Sequence, residues 1–449
     1  MRLLPDISLP RQRSLPRMSE DGRTIDRLAW PIIGDGLFQT VLDLTNLALV
    51  GRLGTAALGG VGAATQLIQL GVAALGAVSV GGMVLAAQAR GAQDARQIGK
   101  ISGQSLLVSL AIGLAIGVPA LLFAPTLLHL IGTSAEVTTQ GAIYLRFVGA
   151  AFPALAVLTV AAAILRALGN SRIPMYVTGL TNLINVGVTA TLLYGPTHLG
   201  VAAAGIGSTV ARVSGAALLV TTLWRSGSLR GARYRPEKAT IRRILDVGLP
   251  SLGEQLLLNF GMLAYGLVAL RLGTAAFAAQ RVVLTMSGVM WMPSFGYGAA
   301  TTALVGQAVG AGEAFRARVL AKLGAIHSVV SMFGLAAFCF IFAPVLMGFF
   351  TTDPAVRAEA AAGLRALCFG QPFWGLSQVY AGALRGSGDT RFPLWATAVG
   401  VWCVRVPFAY VFGLTLGFGL AGICFSSAID AATRASIVIA RFQRRKSWS

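Results

Sequence analysis

The chain has 449 residues, of which 55% are hydrophobic and 12% are charged, and its mean hydropathy is +0.72. A soluble domain usually carries about twice that charged fraction, so the composition excludes an ordinary soluble protein and predicts a polytopic membrane protein. A net charge of +20 could indicate a nucleic-acid-binding protein, so the positions of the basic residues have to decide that point.

The first long apolar run covers residues 28–50, which is enough helix to cross a bilayer. It nevertheless carries Asp35, Gln39, Asp43 and Asn46, whose spacing places them on one helical face. A carboxylate inside a membrane is costly unless it faces a polar cavity or a partner. The pattern therefore predicts a first helix that lines a water-filled or ion-accessible interior.

The chain contains an internal repeat with a constant shift in residue number. Pro31 corresponds to Pro250, and the same shift pairs many other positions along the two halves of the chain. It also relates Asp35 to Glu254, so both halves keep an acid at this membrane position. Such a long shared register indicates a duplication.

The apolar segments number six in each half, which predicts an all-α polytopic membrane protein with twelve transmembrane helices. Because six is even, both halves enter the membrane the same way up, and the two six-helix lobes form a parallel repeat. The predicted organisation is an N-terminal tail 1–26, an N-lobe 27–224, a basic linker 225–243, a C-lobe 244–441 and a C-terminal tail 442–449.

Lys and Arg fix the predicted orientation. One set of loops and tails holds 27 of the 36 basic residues and the opposite side holds three, which places both termini in the cytoplasm of a cell (inner) membrane protein. This asymmetry accounts for the net charge without nucleic acid, and anionic membrane lipid is the natural partner. The N-terminal tail has no separate apolar core before a cleavage site, so we expect the first helix to be retained.

A second polar stripe follows the fifth apolar segment, where Asn182, Asn185 and Thr189 recur at helical spacing. We expect Asn182 and Asn185 to face the same N-lobe cavity as Asp43. The alternative is ordinary hydrogen bonding between helices, which is common in membranes.

In the second half, Glu254 opens the seventh helix with Gln255 beside it, and an intramembrane Glu is a functional candidate by default. The alternative is an ion pair with an intramembrane arginine such as Arg281 or Arg405. Asp430 lies one turn before Arg434, which predicts a structural ion pair within one helix.

Five further residues could line a cleft for planar, hydrophobic cations: Tyr265, Gln280, Met290, Trp291 and Met292. Aromatic faces attract positive charge and methionine adapts its shape to a ligand. A lipid-facing position or a position in the packed core is the alternative for each of them. The sequence shows neither a metal-binding cluster nor a nucleophile–base pair, so we expect no enzyme, no metal and no cofactor.

Three stretches carry a resemblance to a known family: VGRLGTAAL at 50–58, GQAVGAGE at 306–313 and RGSGDTRFP at 385–393. With them, the chain resembles the multidrug and toxic compound extrusion (MATE) family of prokaryotes, and is most similar in character to its DinF-like branch. The resemblance implies two six-helix lobes around a central cleft. It also implies export of amphiphilic, often cationic, compounds driven by inward H⁺ or Na⁺.

The chain departs from the pattern of that family at two places. Asn46 stands where many members have Asp, with Asp43 one turn earlier, and Thr189 stands where the DinF-like branch has Asp. Asp43 is therefore the expected coupling carboxylate, with Asp35 and Glu254 as second candidates. A carboxylate in a low dielectric can be protonated near neutral pH, and one carboxylate with amides is a sparse cage for Na⁺, so H⁺ is favoured.

The predicted function is thus a cation-coupled antiporter that exports a small-molecule substrate by alternating access and acts as a monomer. A flippase for a lipid-linked precursor is the alternative, although it would need a cationic cavity, and the first-helix stripe is acidic. A membrane-embedded enzyme such as a prenyl transferase ranks lower, because the cytoplasmic loops lack the clustered carboxylates that Mg²⁺ requires.

Overall fold

The computed structural model describes residues 18–195, 199–232, 235–351 and 353–444, and in these ranges it contains helices, turns and no strand. Parts of all the predicted segments lie outside the described residues: 1–17 of the N-terminal tail, 196–198 of the N-lobe, 233–234 of the linker, 352 of the C-lobe and 445–449 of the C-terminal tail.

Twelve helical units account for most of the described residues. The first six are α1 (Met18–Gly51), α2 (Thr55–Gly91), α3 (Ala95–Leu122), α4 in two halves (Ala135–Ala150 and Phe152–Ala167), α5 (Arg172–Tyr194) and α6 (Val201–Arg225). The second six are α7 (Lys238–Leu270), α8 (Thr274–Gly310), α9 (Ala314–Ile341), α10 in two halves (Pro354–Cys368 and Gln371–Gly386), α11 (Arg391–Thr415) and α12 (Gly419–Gln443). Two short helices, Ala124–Leu130 and Ala343–Gly348, follow α3 and α9, and α11 contains two π-helical segments, Val399–Arg405 and Val411–Thr415.

Eight of these units are individually long and apolar enough to cross a membrane, and the two halves of α4, bent by 51°, make a ninth span together. The remaining three, α1, α8 and α10, are less apolar, and α1 and α8 pack against each other between the lobes. The prediction of an all-helical membrane protein with two six-helix lobes is confirmed.

The repeat is visible in the backbone itself. α2 and α8 begin at Thr55 and Thr274 and end at Gly91 and Gly310, which preserves the shift that relates the two halves of the sequence. The glycines that precede them, Gly54 and Gly273, have φ angles of 106° and 112°, a conformation that side chains with a Cβ rarely adopt. Corresponding helices therefore begin at corresponding turns.

The buried core shows how the two lobes join. One large cluster contains Ile25, Val78 and Ile164 from the N-lobe together with Ile244 and Val305 from the C-lobe. It gathers the helix ends on the side where α1 begins and α12 ends, which we call the terminal side. The next two clusters, one around Phe152 and one around Cys339, each stay within a single lobe near the opposite side. The lobes are thus joined on the terminal side and separate on the other.

Candidate functional site

A cavity of about 510 Å³ lies between the lobes, which is within the usual size range of small-molecule sites. It is lined by residues of α2, α7, α8 and α10. Its polar lining includes Gln69, Glu254, Gln255, Asn259 and Gln378. Gln255 donates from Nε2 to Asn259 Oδ1 at 3.3 Å. The sequence pattern singles out Glu254 and Gln255, whereas Gln69 and Gln378 are isolated glutamines that no pattern marks.

Glu254 is a buried residue at one wall of this cavity, with 8% of its surface exposed. Arg385 donates from Nη2 to Glu254 Oε2 at 2.7 Å, and Thr397 donates from Oγ1 to Oε1 at 3.2 Å. The alternative of an ion pair therefore holds, but its partner is Arg385 and neither Arg281 nor Arg405. Both oxygens of the carboxylate are engaged in this conformation.

The N-lobe repeats this pair. Arg166, at the end of α4, donates from Nη2 to Asp35 Oδ2 on α1. Both pairs join residues 131 positions apart, and their members correspond across the repeat. Asp35 and Glu254 thus have equivalent neighbours, and each acid is neutralised by an arginine of its own lobe.

Asp43 differs from the other two acids. Its side chain is exposed, and it accepts one hydrogen bond from Gln39 Nε2 at 3.4 Å. Across the described residues it has no ion-pair partner within 4 Å. The charged side chain that acts on it is Arg212 of α6, at longer range. Asp43 is therefore the acid of the three that remains available to a proton or a cationic ligand.

Sequence reasoning missed Arg212, although a single arginine within the apolar run of α6 was a usable signal. Its atom Nη1 is buried and finds no hydrogen-bond acceptor in the part of the chain that the structure describes. A buried guanidinium nitrogen without a hydrogen-bond acceptor carries a desolvation cost. Arg212 and Asp43 thus form a loosely coupled pair across the N-lobe.

The polar stripe of α5 divides between two neighbours. Asn182 donates from Nδ2 to the backbone oxygen of Phe38 at 2.7 Å, so it contacts α1 close to Asp43. Asn185 donates from Nδ2 to Ser208 Oγ of α6 at 3.1 Å, and Thr189 is fully buried beside Gly207 of the same helix. Ser208 lies one turn before Arg212, so this stripe connects the helix of Asp43 with that of Arg212.

Two carbonyl oxygens of this N-lobe region are buried without a hydrogen-bond donor among the described residues. They are Asn46 Oδ1 on α1 and Asn185 Oδ1 on α5. Amide oxygens of this kind can solvate a cation or a polar ligand group. Gln39, Asp43, Asn46 and Asn182 thus give α1 and α5 a polar surface.

Three of the residues considered for a greasy cleft are almost fully buried, with 2% exposure for Tyr265 and 1% each for Gln280 and Met290. The Tyr265 hydroxyl donates to the backbone oxygen of Ile423 at 3.0 Å, and Gln280 Nε2 donates to the backbone oxygen of Tyr265 at 3.3 Å. In this conformation they belong to the packed C-lobe. Met292 is partly exposed and reaches Gly36 of α1, between the lobes.

The C-lobe also holds a buried charge cluster. Asp430 pairs with Arg434 at 2.8 Å, as the spacing within α12 predicts, and with Arg405 of α11 at 2.7 Å. Both guanidinium groups lie against the ring of Trp374, at 5.7 Å for Arg405 and 4.5 Å for Arg434. Two arginines share one carboxylate, so the cluster carries a net positive charge that the aromatic face helps to stabilise.

Reciprocal hydrogen bonds close the terminal side. Gln88 of the N-lobe donates to the backbone oxygen of Gly386, the last residue of α10, at 3.0 Å. Gln307 of the C-lobe donates to the backbone oxygen of Ala167, the last residue of α4, at 2.7 Å. Each amide satisfies a carbonyl that the helix end leaves free. We call these two bonds the reciprocal contact.

Backbones approach closely at the same place. A Cβ atom built on Gly91 would lie 1.9 Å from the backbone oxygen of Gln307, and one on Gly310 would lie 2.0 Å from that of Gln88. The N-terminal part of α1 adds two side-chain contacts to the C-lobe. Asp21 pairs with Arg316 at 3.0 Å and Asp26 with His327 at 2.9 Å.

The MatE family model matches residues 31–191 and again 250–411. A curated relative from Thermotoga maritima, named "Probable multidrug resistance protein NorM", is 26% identical over 421 residues, which cover 93% of this chain and 91% of the relative. The multidrug resistance protein NorM of Burkholderia vietnamiensis is 28% identical over 454 residues, covering 96% of both chains. Among solved structures, an outward-facing multidrug resistance MATE family transporter has the same fold, with a TM-score of 0.87 at 22% identity over 94% of this chain and 95% of that one.

Proposed function

Because the chain belongs to the MatE family of multidrug efflux transporters, we propose that it is a cation-coupled antiporter that exports amphiphilic, cationic drugs or metabolites. H⁺ is the preferred coupling ion and Na⁺ the second choice. The observation that carries this proposal is the different state of the three candidate coupling acids. Asp35 and Glu254 are paired with arginines of their own lobes, whereas Asp43 is exposed and unpaired within the described ranges.

The proposed mechanism is competition at Asp43. The carboxylate form attracts a cationic substrate, and protonation removes that attraction, so proton and substrate exclude each other from one site. Only a differential affinity between two states is needed for such an exchange. Arg212 weakens the pull of Asp43 on any cation, which favours release once the lobes have opened.

The lobe arrangement supports alternating access. The lobes share one core on the terminal side and have separate cores opposite, so a cleft open to one side exists in this conformation. The opposite state requires the reciprocal contact to break. Since the basic residues gather on the terminal side, we propose that this side is cytoplasmic, that both termini lie there in the inner membrane, and that the cleft is open to the outside.

The lining of the interlobe cavity argues against the alternative function, a flippase for a lipid-linked precursor. Its one arginine, Arg385, is neutralised by Glu254, and the rest of its polar lining consists of amides and one hydroxyl group. A pyrophosphate-linked load would need unpaired cations there. The antiporter proposal involves a small-molecule substrate and surrounding lipid, a monomeric chain, and no enzyme activity, cofactor, metal or nucleic acid.

The test uses purified protein in proteoliposomes with a planar aromatic cation such as ethidium as the substrate. The pH gradient and the Na⁺ gradient are imposed separately. We expect substrate transport with the pH gradient alone and its loss in Asp43→Asn at equal reconstitution. Transport driven by Na⁺ at clamped pH would reject the proton, and full proton-driven transport in Asp43→Asn would reject Asp43.

A further inference from the structure

A second cavity, of about 380 Å³, lies on the terminal side of the N-lobe, where α3, α7 and the linker between the lobes meet. It belongs neither to the interlobe cavity nor to the Asp43 region. Its polar walls come from the first turns of α3 and α7, and they consist of Asp94, Arg96, Gln97, Lys100, Thr240 and Arg243. The transport proposal gives this basic cavity no role.

The linker that forms one wall is fixed by a buried side chain of α3. Gln104, with no exposed surface, donates from Nε2 to the backbone oxygen of Arg235 at 2.9 Å and accepts from the backbone nitrogen of Glu237 at 2.9 Å. Gly99 allows the linker to approach further, since a Cβ there would lie 2.1 Å from the backbone oxygen of Arg230. The linker wall of the cavity is therefore held in place by specific contacts with α3.

The acids near the cavity are already engaged. Asp94 caps α3 by accepting from the backbone nitrogen of Gln97 at 2.9 Å, and Glu237 pairs with Lys100 at 2.6 Å. Arg96 and Arg243 are exposed and have no ion pair or side-chain hydrogen bond within the described parts of the chain. Two guanidinium groups thus line the same cavity without an ion-pair partner among the described residues.

The second repeat does not keep the α3 side chains that form this arrangement. At the corresponding positions of the second repeat, Arg96, Lys100 and Gln104 are replaced by Phe315, Val319 and Leu323. The duplicated fold therefore does not require these basic and amide side chains. Their presence in one lobe alone indicates a purpose other than packing.

We propose that this cavity binds a phosphate group, either the phosphodiester of an anionic phospholipid or a free phosphate ion. Guanidinium groups bind phosphate oxygens in pairs of short, charge-assisted hydrogen bonds. Basic pockets between transmembrane helices on the cytoplasmic side bind lipid headgroups, and the surface potential of that leaflet increases their occupancy. The Thr240 hydroxyl and the first-turn amides of α7 supply neutral donors to the same group.

Native mass spectrometry of the detergent-purified full chain, titrated with phosphatidylglycerol and separately with phosphatidylcholine, tests this proposal. The variant Arg96→Gln/Arg243→Gln removes the two unpaired cations. Its matched control, Lys238→Gln/Arg242→Gln, removes two charges from the first turns of α7 outside the cavity. We expect the double variant to retain phosphatidylglycerol about tenfold less well than the wild type, and the control to retain it equally well.

A separate arm identifies the source of the phosphate by measuring the thermal stability of the same proteins with inorganic phosphate alone. Stabilisation of the wild type and the control, but not of the double variant, assigns the cavity to free phosphate; selective loss of phosphatidylglycerol assigns it to lipid. Thr240→Phe, which fills the cavity and keeps every charge, should mimic the double variant. Equal behaviour of the double variant and the control in both arms would overturn the proposal.

Discussion

Asp35 and Glu254 hold the same ion pair in the two lobes, each with the arginine at the end of its own lobe's broken fourth helix, Arg166 or Arg385. The pairs fasten α1 to α4 and α7 to α10. These acids therefore stabilise the lobes in the present conformation, and the exposed Asp43 differs from them in its availability.

Glu254→Gln should lower the apparent melting temperature in detergent, because it leaves Arg385 partly buried without its anion. Removing one partner of a buried ion pair typically costs about 3–5 kcal/mol, and a value near the lower end is expected for side chains that are 10% and 17% exposed. Adding Arg385→Gln should restore most of the loss. Asp246→Asn is the control on α7, since its pair with Arg242 is exposed and should have little effect. An unchanged melting temperature in Glu254→Gln would contradict this role.

Gln88→Ala/Gln307→Ala should shift the lobes towards the state that is open on the terminal side. Each lost hydrogen bond is worth about 0.6–1 kcal/mol, so removing both should change the population ratio about tenfold. Spin labels at Ala92 and Ala311, which are exposed and correspond across the repeat, would report the separation by electron–electron distance measurement. The single variants should each give about half of the free-energy change. Identical distance distributions in all four proteins would refute the contribution of these bonds.

Gly91→Ala should open the same side by steric force, because its Cβ would lie 1.9 Å from the backbone oxygen of Gln307. The matched control is Gly62→Ala on the same helix, where a Cβ meets nothing within 4 Å. The same pair of labels should move apart in Gly91→Ala and stay unchanged in Gly62→Ala. Closed-state distances in Gly91→Ala would show that the helices adjust locally.

Asp430→Asn should destabilise the C-lobe more than Arg434→Gln does. The first change leaves two adjacent buried arginines unpaired, whereas the second leaves the Arg405–Asp430 pair intact. An uncompensated buried charge is costly, so the free energy of unfolding of the two variants should differ by on the order of 3 kcal/mol. Asp430→Asn should therefore have the clearly lower melting temperature. If Arg434→Gln proves the more damaging change, its contact with Trp374 outweighs the charge balance.

The sequence was sufficient for the fold because the apolar runs and the constant shift of the repeat are properties of the chain itself. It was insufficient to identify the ion-pair partners of the intramembrane acids. Arg385 lies 131 residues from Glu254, and it differs from Arg281 and Arg405 only in that the repeat keeps an arginine at its counterpart. Burial was also hidden, because in a membrane apolar side chains face both the core and the lipid. Hydropathy therefore could not show that Tyr265 and Gln280, which looked like cleft residues, are buried in the packed lobe.

The reciprocal contact also indicates how the duplicated chain evolved. Gln88 binds the carbonyl of Gly386 while Gln307 binds that of Ala167, which is the exchange of identical bonds found across the twofold axis of a homodimer. A gene for one lobe would encode a subunit able to bind a second copy of itself through this surface. Fusion of two such genes would preserve that interface within one polypeptide and then free each half to acquire its own residues, as Asp43 and Arg96 of the first half illustrate.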